Sequence, residues 1–433
     1  MPELRAHSRS KRSRTLSRWV SRTLRATGYQ VAALACFATI IAWIPDRWVS
    51  GIFQAGVLLC ALLAIQISLF SGRRLEVSLT ACLALSIACL GIVQIAASAT
   101  VYPFATREAA LGWLVLAALS FLARNASIWT HGRHIILNAM IATAAAAGVL
   151  ALTGAVRPSQ KVLWVFQTES PEVSGFFLSS NEYAQFVELA LPAVLMRACW
   201  DPKRWILYSL LGALLVGTVI GHRSRMGSAL VLIEVVAVLW LARKRRMVSG
   251  PRWREVALTM AILCVTLAGA VGVDGLWQRL AKEDLTAGRD VIFGATLDLV
   301  KEHWAGGHGL GSFVYVYPAK ATYALSGVVN HAHNDWLEAM TEGGIPAVIL
   351  LLLLLGRLAF KSIRYPWALG LLAISVHAIV DFPLHRLSIT AWMFIMAGLL
   401  ESASAPRQAA PKRSAARSFE PSPIENLSQA TAE

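Results

Sequence analysis

The chain has 433 residues, 56% of them hydrophobic and 15% charged, with a formal net charge of +15 and a mean hydropathy of +0.56. A soluble protein of this length carries more charge, so a soluble globular fold is excluded and an all-α polytopic membrane protein is expected. The positive charge falls in short clusters between apolar segments. That is a topology signal, and nucleic acid is not among the expected partners.

The first 27 residues form a basic tail. Arg5, Arg9, Lys11, Arg12, Arg14, Arg18, Arg22 and Arg25 stand against Glu3. Its composition predicts a disordered cytoplasmic segment able to touch anionic headgroups. The apolar stretch that follows ends in Trp43-Ile44-Pro45-Asp46 with no small-residue cleavage site, so it reads as a retained span and not a signal peptide. Stretches long enough to cross ~30 Å of hydrocarbon then recur to the end. About twelve are expected, near 29–45, 50–71, 76–98, 107–123, 134–155, 182–198, 204–221, 227–242, 255–273, 336–356, 365–380 and 387–402.

The even-numbered connections are basic: Arg73-Arg74, Arg124 with Arg133, Lys203-Arg204, Arg243-Lys244-Arg245-Arg246 with Arg252 and Arg254, and Arg357 with Lys361 and Arg364. By the positive-inside rule they face the cytoplasm, as do both termini. The C-terminal tail, 403–433, carries Arg407, Lys412, Arg413 and Arg417 and reads as disordered. Residues 28–170 read as scaffold helices, and residues 171–402 carry every informative motif. The six cysteines form no CxxC and none lies in an outer loop, so disulfides and structural zinc are not expected.

Two outer loops are long, about 156–180 and 275–334. An outer face should be poor in arginine, yet Arg223, Arg225, Arg289 and Arg386 fall there. Each suits either a snorkelling side chain or an anion site, because the guanidinium fork matches phosphate. Arg289 opens an amphipathic stretch that ends near Trp304, with Ile292, Ala295, Leu299 and Val300 as its apolar stripe. An arginine there joins free backbone N–H groups able to hold an anion, and such a helix suits the membrane surface. Gly306-Gly307-His308-Gly309-Leu310-Gly311 has the spacing of a dinucleotide loop. No strand precedes it, and it reads as a tight surface turn.

The segment from His331 to Glu338, His-Ala-His-Asn-Asp-Trp-Leu-Glu, places a polar cluster where a long apolar helix begins. Ionisable groups are costly in hydrocarbon but tolerated at its edge. His-x-His could hold a metal, but no further ligand set stands out beyond Asp335, Glu338 and Glu342, and no metal is expected. Asp335 and Glu338 read as an N-cap and its capping-box partner. His333 is left as a structural residue or a general base. Glu188 and Glu234 lie inside apparent spans, either as functional groups or as paired interior carboxyls.

Taken together, these residues resemble the O-antigen ligase and O-antigen polymerase superfamily of bacterial membrane glycosyltransferases, over roughly 170–400. His333-Asn334, nine residues and Gly344 follow its signature, with Ala347 a mild departure. Gly288-Arg289 through His303 to Gly307, Gly309, Gly311 and Phe313 resembles its large-loop pattern. Ser224-Arg225-Met226-Gly227, Gly175-Phe176-Phe177 with Asn181 through Pro192, and His377 with Asp381-Phe382-Pro383-Leu384 resemble its other motifs. The resemblance implies a GT-C-like helical fold with the large periplasmic loop between the ninth and tenth spans. It also implies residence in the bacterial inner membrane and a periplasmic site. The reaction implied is an inverting, metal-independent transfer of a glycan from undecaprenyl diphosphate, without cofactor. His333 would be the base, and Arg225 and Arg289 would hold the diphosphate. Arg223 is a rival to Arg225, and Asn181 and Asp381 are further candidates for substrate binding. The acceptor is open between lipid A-core (a ligase), a second lipid-linked glycan (a polymerase) and protein. A transporter of the same lipids is the reading of a different class. The paired, broken helices expected of that class are not evident.

Overall fold

The computed structural model describes residues 26–44, 46–72, 74–129, 132–156, 160–168, 173–244, 252–271, 289–321 and 328–403. The two tails and the stretch 272–288 that opens the large loop, Gly288 included, lie outside them.

The described chain is helical, apart from one two-stranded hairpin, Lys161–Val162 paired with Phe166–Gln167. The helices are α1 (Ala26–Ile41), α2 (Arg47–Ser71), α3 (Leu79–Ala96), α4 (Pro103–Trp129), α5 (Gly132–Val156), α6 (Ser180–Trp200), α7 (Trp205–Gly221), α8 (Arg225–Lys244), α9 (Trp253–Val271), α10 (Arg289–His303), α11 (Phe313–Val316), α12 (Asp335–Ser362), α13 (Gly370–His377) and α14 (Leu387–Ala403). Among the described residues, α2, α3, α4, α5, α8 and α12 are long and apolar enough to cross a membrane. The protein is therefore an all-α membrane protein. Large apolar side chains such as Leu62, Phe70, Ile233, Val236, Leu353 and Phe360 are exposed on these helices. In water such a surface would be a liability; against acyl chains it is the required finish.

Each of the twelve expected spans coincides with a helix, but the count of crossings does not follow. The segment expected at 365–380 forms a 3₁₀ turn, Pro366–Ala368, and the eight-residue α13. At 1.5 Å per residue α13 covers only ~12 Å. The stretch is apolar because it is buried in protein. A Cβ on Gly370 would overlap the backbone of Glu188, so α13 packs directly on α6.

α6 is the central helix. Residues 182–195 are almost completely buried, against α7, α8 and α13. Its start is set by Ser179, whose side chain accepts from the N–H groups of Asn181 and Glu182, a standard N-cap. α14 is buried to a similar degree and packs against α4 and α6. Its indole Trp392 donates to Thr39 Oγ1 of α1 at 2.9 Å. Glu401 near its end accepts from the N–H groups of Leu79 and Thr80 at the start of α3.

α10 buries Ile292, Ala295, Thr296 and Leu299. These pack against Phe313, Val316, Tyr317 and Ala332, so the amphipathic stripe is satisfied by protein and not by a membrane surface.

The glycine loop is not a surface turn. Gly307, Gly309 and Gly311 have positive φ of 71°, 108° and 72°. A Cβ on Gly307 would overlap the Glu342 backbone, and one on Gly309 the Thr100 side chain. The loop therefore seats on α12 where that helix kinks at Gly344 (φ 60°, ψ −155°). Gln94 of α3 locks the junction. Its Nε2 donates to the carbonyls of Gly306 and Glu342, and its Oε1 accepts from Leu310 N–H. Spacing alone could not distinguish glycines that expose a turn from glycines that let two backbones touch.

Candidate active site

The site is built where three loops meet at the start of α12. Asn334 is the N-cap of that helix, and its side chain accepts from Trp336 and Leu337 N–H at 3.0 Å. The cap therefore lies one residue before Asp335, where the sequence placed it. Asp335 is buried and turned to other work: it accepts from Leu384 N–H and faces His385 Nδ1, both at 3.0 Å. Glu338 reaches back as a capping-box acid does, but to Ala332 N–H at 2.8 Å and not to the cap residue. Capping-box spacing specifies a helix start to within a residue or two, and the competing donors of a distant loop decided the rest.

His385 lies between two carboxylates. Its Nδ1 is 3.0 Å from Asp335 and its Nε2 is 3.3 Å from Glu338. Burial opposes a charge on this imidazole, but Glu338 and Asp335 outweigh it and push its pKa up to about 10. His331, 2.9 Å from Glu338, moves the other way. Burial lowers it, and the neighbouring His385 charge adds to that against the pull of Glu338.

Because His385 is raised from an ordinary value near ~6.5, its contribution to stability is full below about 6.5 and is lost as pH rises toward its folded value. We expect His385→Gln to destabilise the protein by about 1–3 kcal/mol at pH 6, discounted toward the lower end because the side chain is 30% exposed. The gap to wild type should narrow steadily from pH 6.5 to 10. Thermal unfolding in detergent across that range checks it, and a gap independent of pH would reject it.

His331, Glu338 and His385 place a ligand atom each within 4.8 Å of one another, as a metal site would. Both ring nitrogens of His385 are turned to carboxylates, so that imidazole presents no free lone pair to an ion. The donor set fits a bridged ion-pair cluster better than a metal centre.

His333 stands at the edge of this cluster in the left-handed region, φ 52°. A non-glycine residue seldom adopts that conformation unless its surroundings impose it. Its Nδ1 lies 3.4 Å from Oδ1 of Asp381, too long for an aligned hydrogen bond. Neither atom has another hydrogen-bond partner among the described residues. Asp381 is 1% exposed and its Oδ2 accepts from Gln185 of α6 at 3.2 Å. Burial opposes its charge, yet His333, Arg386, His377 and Arg289 hold its carboxyl well below the usual carboxylate range. Arg289, the first residue of α10, donates from Nη1 to the carbonyl of Val380 at 2.6 Å, one residue before Asp381.

The other sequence candidates sit close by along the chain of contacts. Ser224 donates to Asn181 Oδ1 at 2.9 Å, which ties the start of α8, where Arg225 is the first residue, to the start of α6. Arg223 has a positive φ of 64° at the turn between α7 and α8. The structure thus brings His333, Asp381 and Arg289 together directly. Arg225 and Asn181 are connected to them through α6. Glu188 is paired with buried His377, at 2.8 Å. Both carboxylate oxygens of buried Glu234 lack a hydrogen-bond partner among the described residues.

His333 opens on a cavity of about 710 Å³ at the junction of the α1–α2 loop, the start of α6 and the 382–387 turn. Glu182, His331, Phe382, His385 and Arg386 also line it. Sequence reasoning marked Arg386 as an arginine in need of a reason but did not place it with His333. The pairing spans 53 positions and has no local signal. The assembly offers a proton acceptor with a buried carboxylate behind it, beside a cavity with cationic groups. That is the equipment for deprotonating a hydroxyl near an anionic leaving group.

Compared with known families, residues 210–352 match the model described as O-antigen ligase. The matched segment contains Arg223, Arg225, Arg289 and His333, while Asn181, Asp381 and Arg386 lie outside it. No curated protein matches the chain.

Proposed function

We propose, from the membership of residues 210–352 in the O-antigen ligase and polymerase superfamily, that this protein is a multi-pass glycosyltransferase of the bacterial inner membrane. It moves a glycan from undecaprenyl diphosphate to an acceptor hydroxyl on the periplasmic face. The observation that carries the reading is His333, 3.4 Å from buried Asp381, at the wall of a cavity of about 710 Å³.

In this reaction His333 takes the proton of the acceptor hydroxyl through Nε2. The freed oxygen attacks the anomeric carbon from the face opposite the diphosphate, and the C1–O bond breaks with its electron pair leaving on the diphosphate. The configuration inverts. Asp381 stabilises the imidazolium that forms. Diphosphate is a good leaving group, so the site must supply cationic stabilisation and a placed base, and no strong general acid. Arg225 and Arg289 are the diphosphate residues of this scheme. No metal ion has a step in it. Both termini are cytoplasmic, and the acceptor is lipid A-core. A second lipid-linked glycan, which would make the enzyme a polymerase, is the nearest alternative.

The test is transfer by purified protein from undecaprenyl-diphosphate-linked glycan in the presence of EDTA, with the product identifying the acceptor. Arg289→Lys is expected to retain expression and lose ~10- to 100-fold in turnover. Lysine keeps the charge but cannot hold the Val380 carbonyl and a phosphate with one planar fork. Turnover that needs an added divalent ion would overturn the mechanism. Transport of the lipid-linked glycan without bond cleavage would overturn the class.

A further inference from the structure

Neither Arg225 nor Arg289 lines the cavity beside His333, whereas Arg386 does. Its guanidinium lies over the Phe382 ring, 4.3 Å from the centroid, and Nη1 donates to Glu182 Oε2 at 3.3 Å. The side chain is only 15% exposed, and Nε is buried with no hydrogen-bond partner among the described residues. Glu182 itself is held by the first turn of α6 and accepts from Ser388 at 3.4 Å. An aromatic plate and a fixed carboxylate therefore hold a guanidinium that is desolvated but not saturated. A buried donor without a partner is costly, and an arginine presents its donors in a fork that matches phosphate. Arg47 also lines the cavity, as do the acidic residues Asp46 and Glu182.

We propose that Arg386 is the cavity's phosphate-binding residue, receiving the diphosphate of the lipid carrier next to His333, and that Glu182 holds the guanidinium in position until the ligand arrives. This rests on the reading that the donor is a polyprenyl diphosphate. It adds a guanidinium on the cavity side to those of Arg225 and Arg289.

The experiment is equilibrium binding of farnesyl diphosphate to the full chain in phosphatidylcholine nanodiscs, with farnesol as the uncharged control. Arg386→Ala should weaken binding at least ~10-fold, in line with one lost charge-assisted contact. Arg386→Lys, which keeps the charge and is the variant least able to disturb the fold, should weaken it several-fold because the fork is lost. Glu182→Gln, which leaves the guanidinium without the carboxylate that positions it, should weaken binding by less than Arg386→Ala does. Should Arg386→Ala fail to fold, the other two variants decide. Wild-type affinity in Arg386→Ala, or in Arg386→Lys should the alanine variant fail to fold, overturns the inference and leaves the proposed reaction standing. Failure of wild type to prefer farnesyl diphosphate over farnesol overturns the donor reading itself, and this inference with it.

Discussion

Replacing His333 with alanine should lower glycan transfer by ~10²- to 10⁴-fold, the range attributed to a positioned general base, with the protein still inserted and folded. The side chain is 32% exposed and stands 3.4 Å from Asp381, with its ring edge-on to Phe382 at 4.9 Å between centroids, so the packing lost is mainly that one aromatic contact. Histidine adopts the left-handed region more readily than alanine does, so the substitution adds a small local strain at this φ of 52°, which the parallel unfolding measurement reads. The measurement is single-turnover release of the carrier diphosphate and appearance of glycan product, with thermal unfolding run in parallel. Equal turnover in the variant would return His333 to the status of a loop residue that enters a helix.

The second large effect is expected from Asp381→Asn. The Oδ1 carboxylate oxygen facing Nδ1 favours a proton on that nitrogen, which leaves Nε2 with its lone pair for the acceptor hydroxyl. Asparagine can satisfy Gln185 Nε2 only with its carbonyl oxygen, so its amide N–H₂ turns toward His333. The ring then keeps its lone pair on Nδ1 and places its proton on Nε2, the wrong nitrogen for a base. A loss of ~10²-fold or more in kcat is expected, with the KM for donor little changed. The substitution also leaves Arg289, Arg386 and His377 without the carboxylate they surround, so some stability is lost too. A pH–rate profile separates the two contributions, because a purely structural defect lowers the plateau without moving its limbs. An Asp381→Asn enzyme with wild-type kcat would show that His333 needs no orienting partner.

The helices were legible from the sequence because hydropathy over about 20 residues is a one-dimensional signal. The stripe Ile292, Ala295 and Leu299 was legible for the same reason, since helical period is local. What the sequence could not tell is whether an apolar stretch is buried by lipid or by protein, hence the short α13 where a full span was expected. The glycine loop was misplaced at the surface because its partners, Gln94 and Glu342, are more than 200 and about 30 positions away. In the site, His333 and Asp381 were singled out separately, and nothing local joins two residues 48 apart. Arg386 was noticed as an arginine out of place, a charge argument. Its association with Glu182 needed two helices to be brought side by side.

The bond between Glu401 and the amides of Leu79 and Thr80 has a bearing on how the protein is made. α3 leaves the ribosome more than 300 residues ahead of the carboxylate that closes its first turn. Until α14 arrives, α4 also lacks the helix that covers much of its protein-facing side. Among the described helices the last in the chain thus locks against earlier ones, so insertion of the individual segments and completion of the bundle are separate events. A nascent chain that stops before residue 387 therefore lacks both the cover on α4 and the acceptor for the first amides of α3. Ser388 at the start of α14 donates to Glu182 on the cavity wall, so the arrival of that helix also completes the hydrogen bonding of that wall.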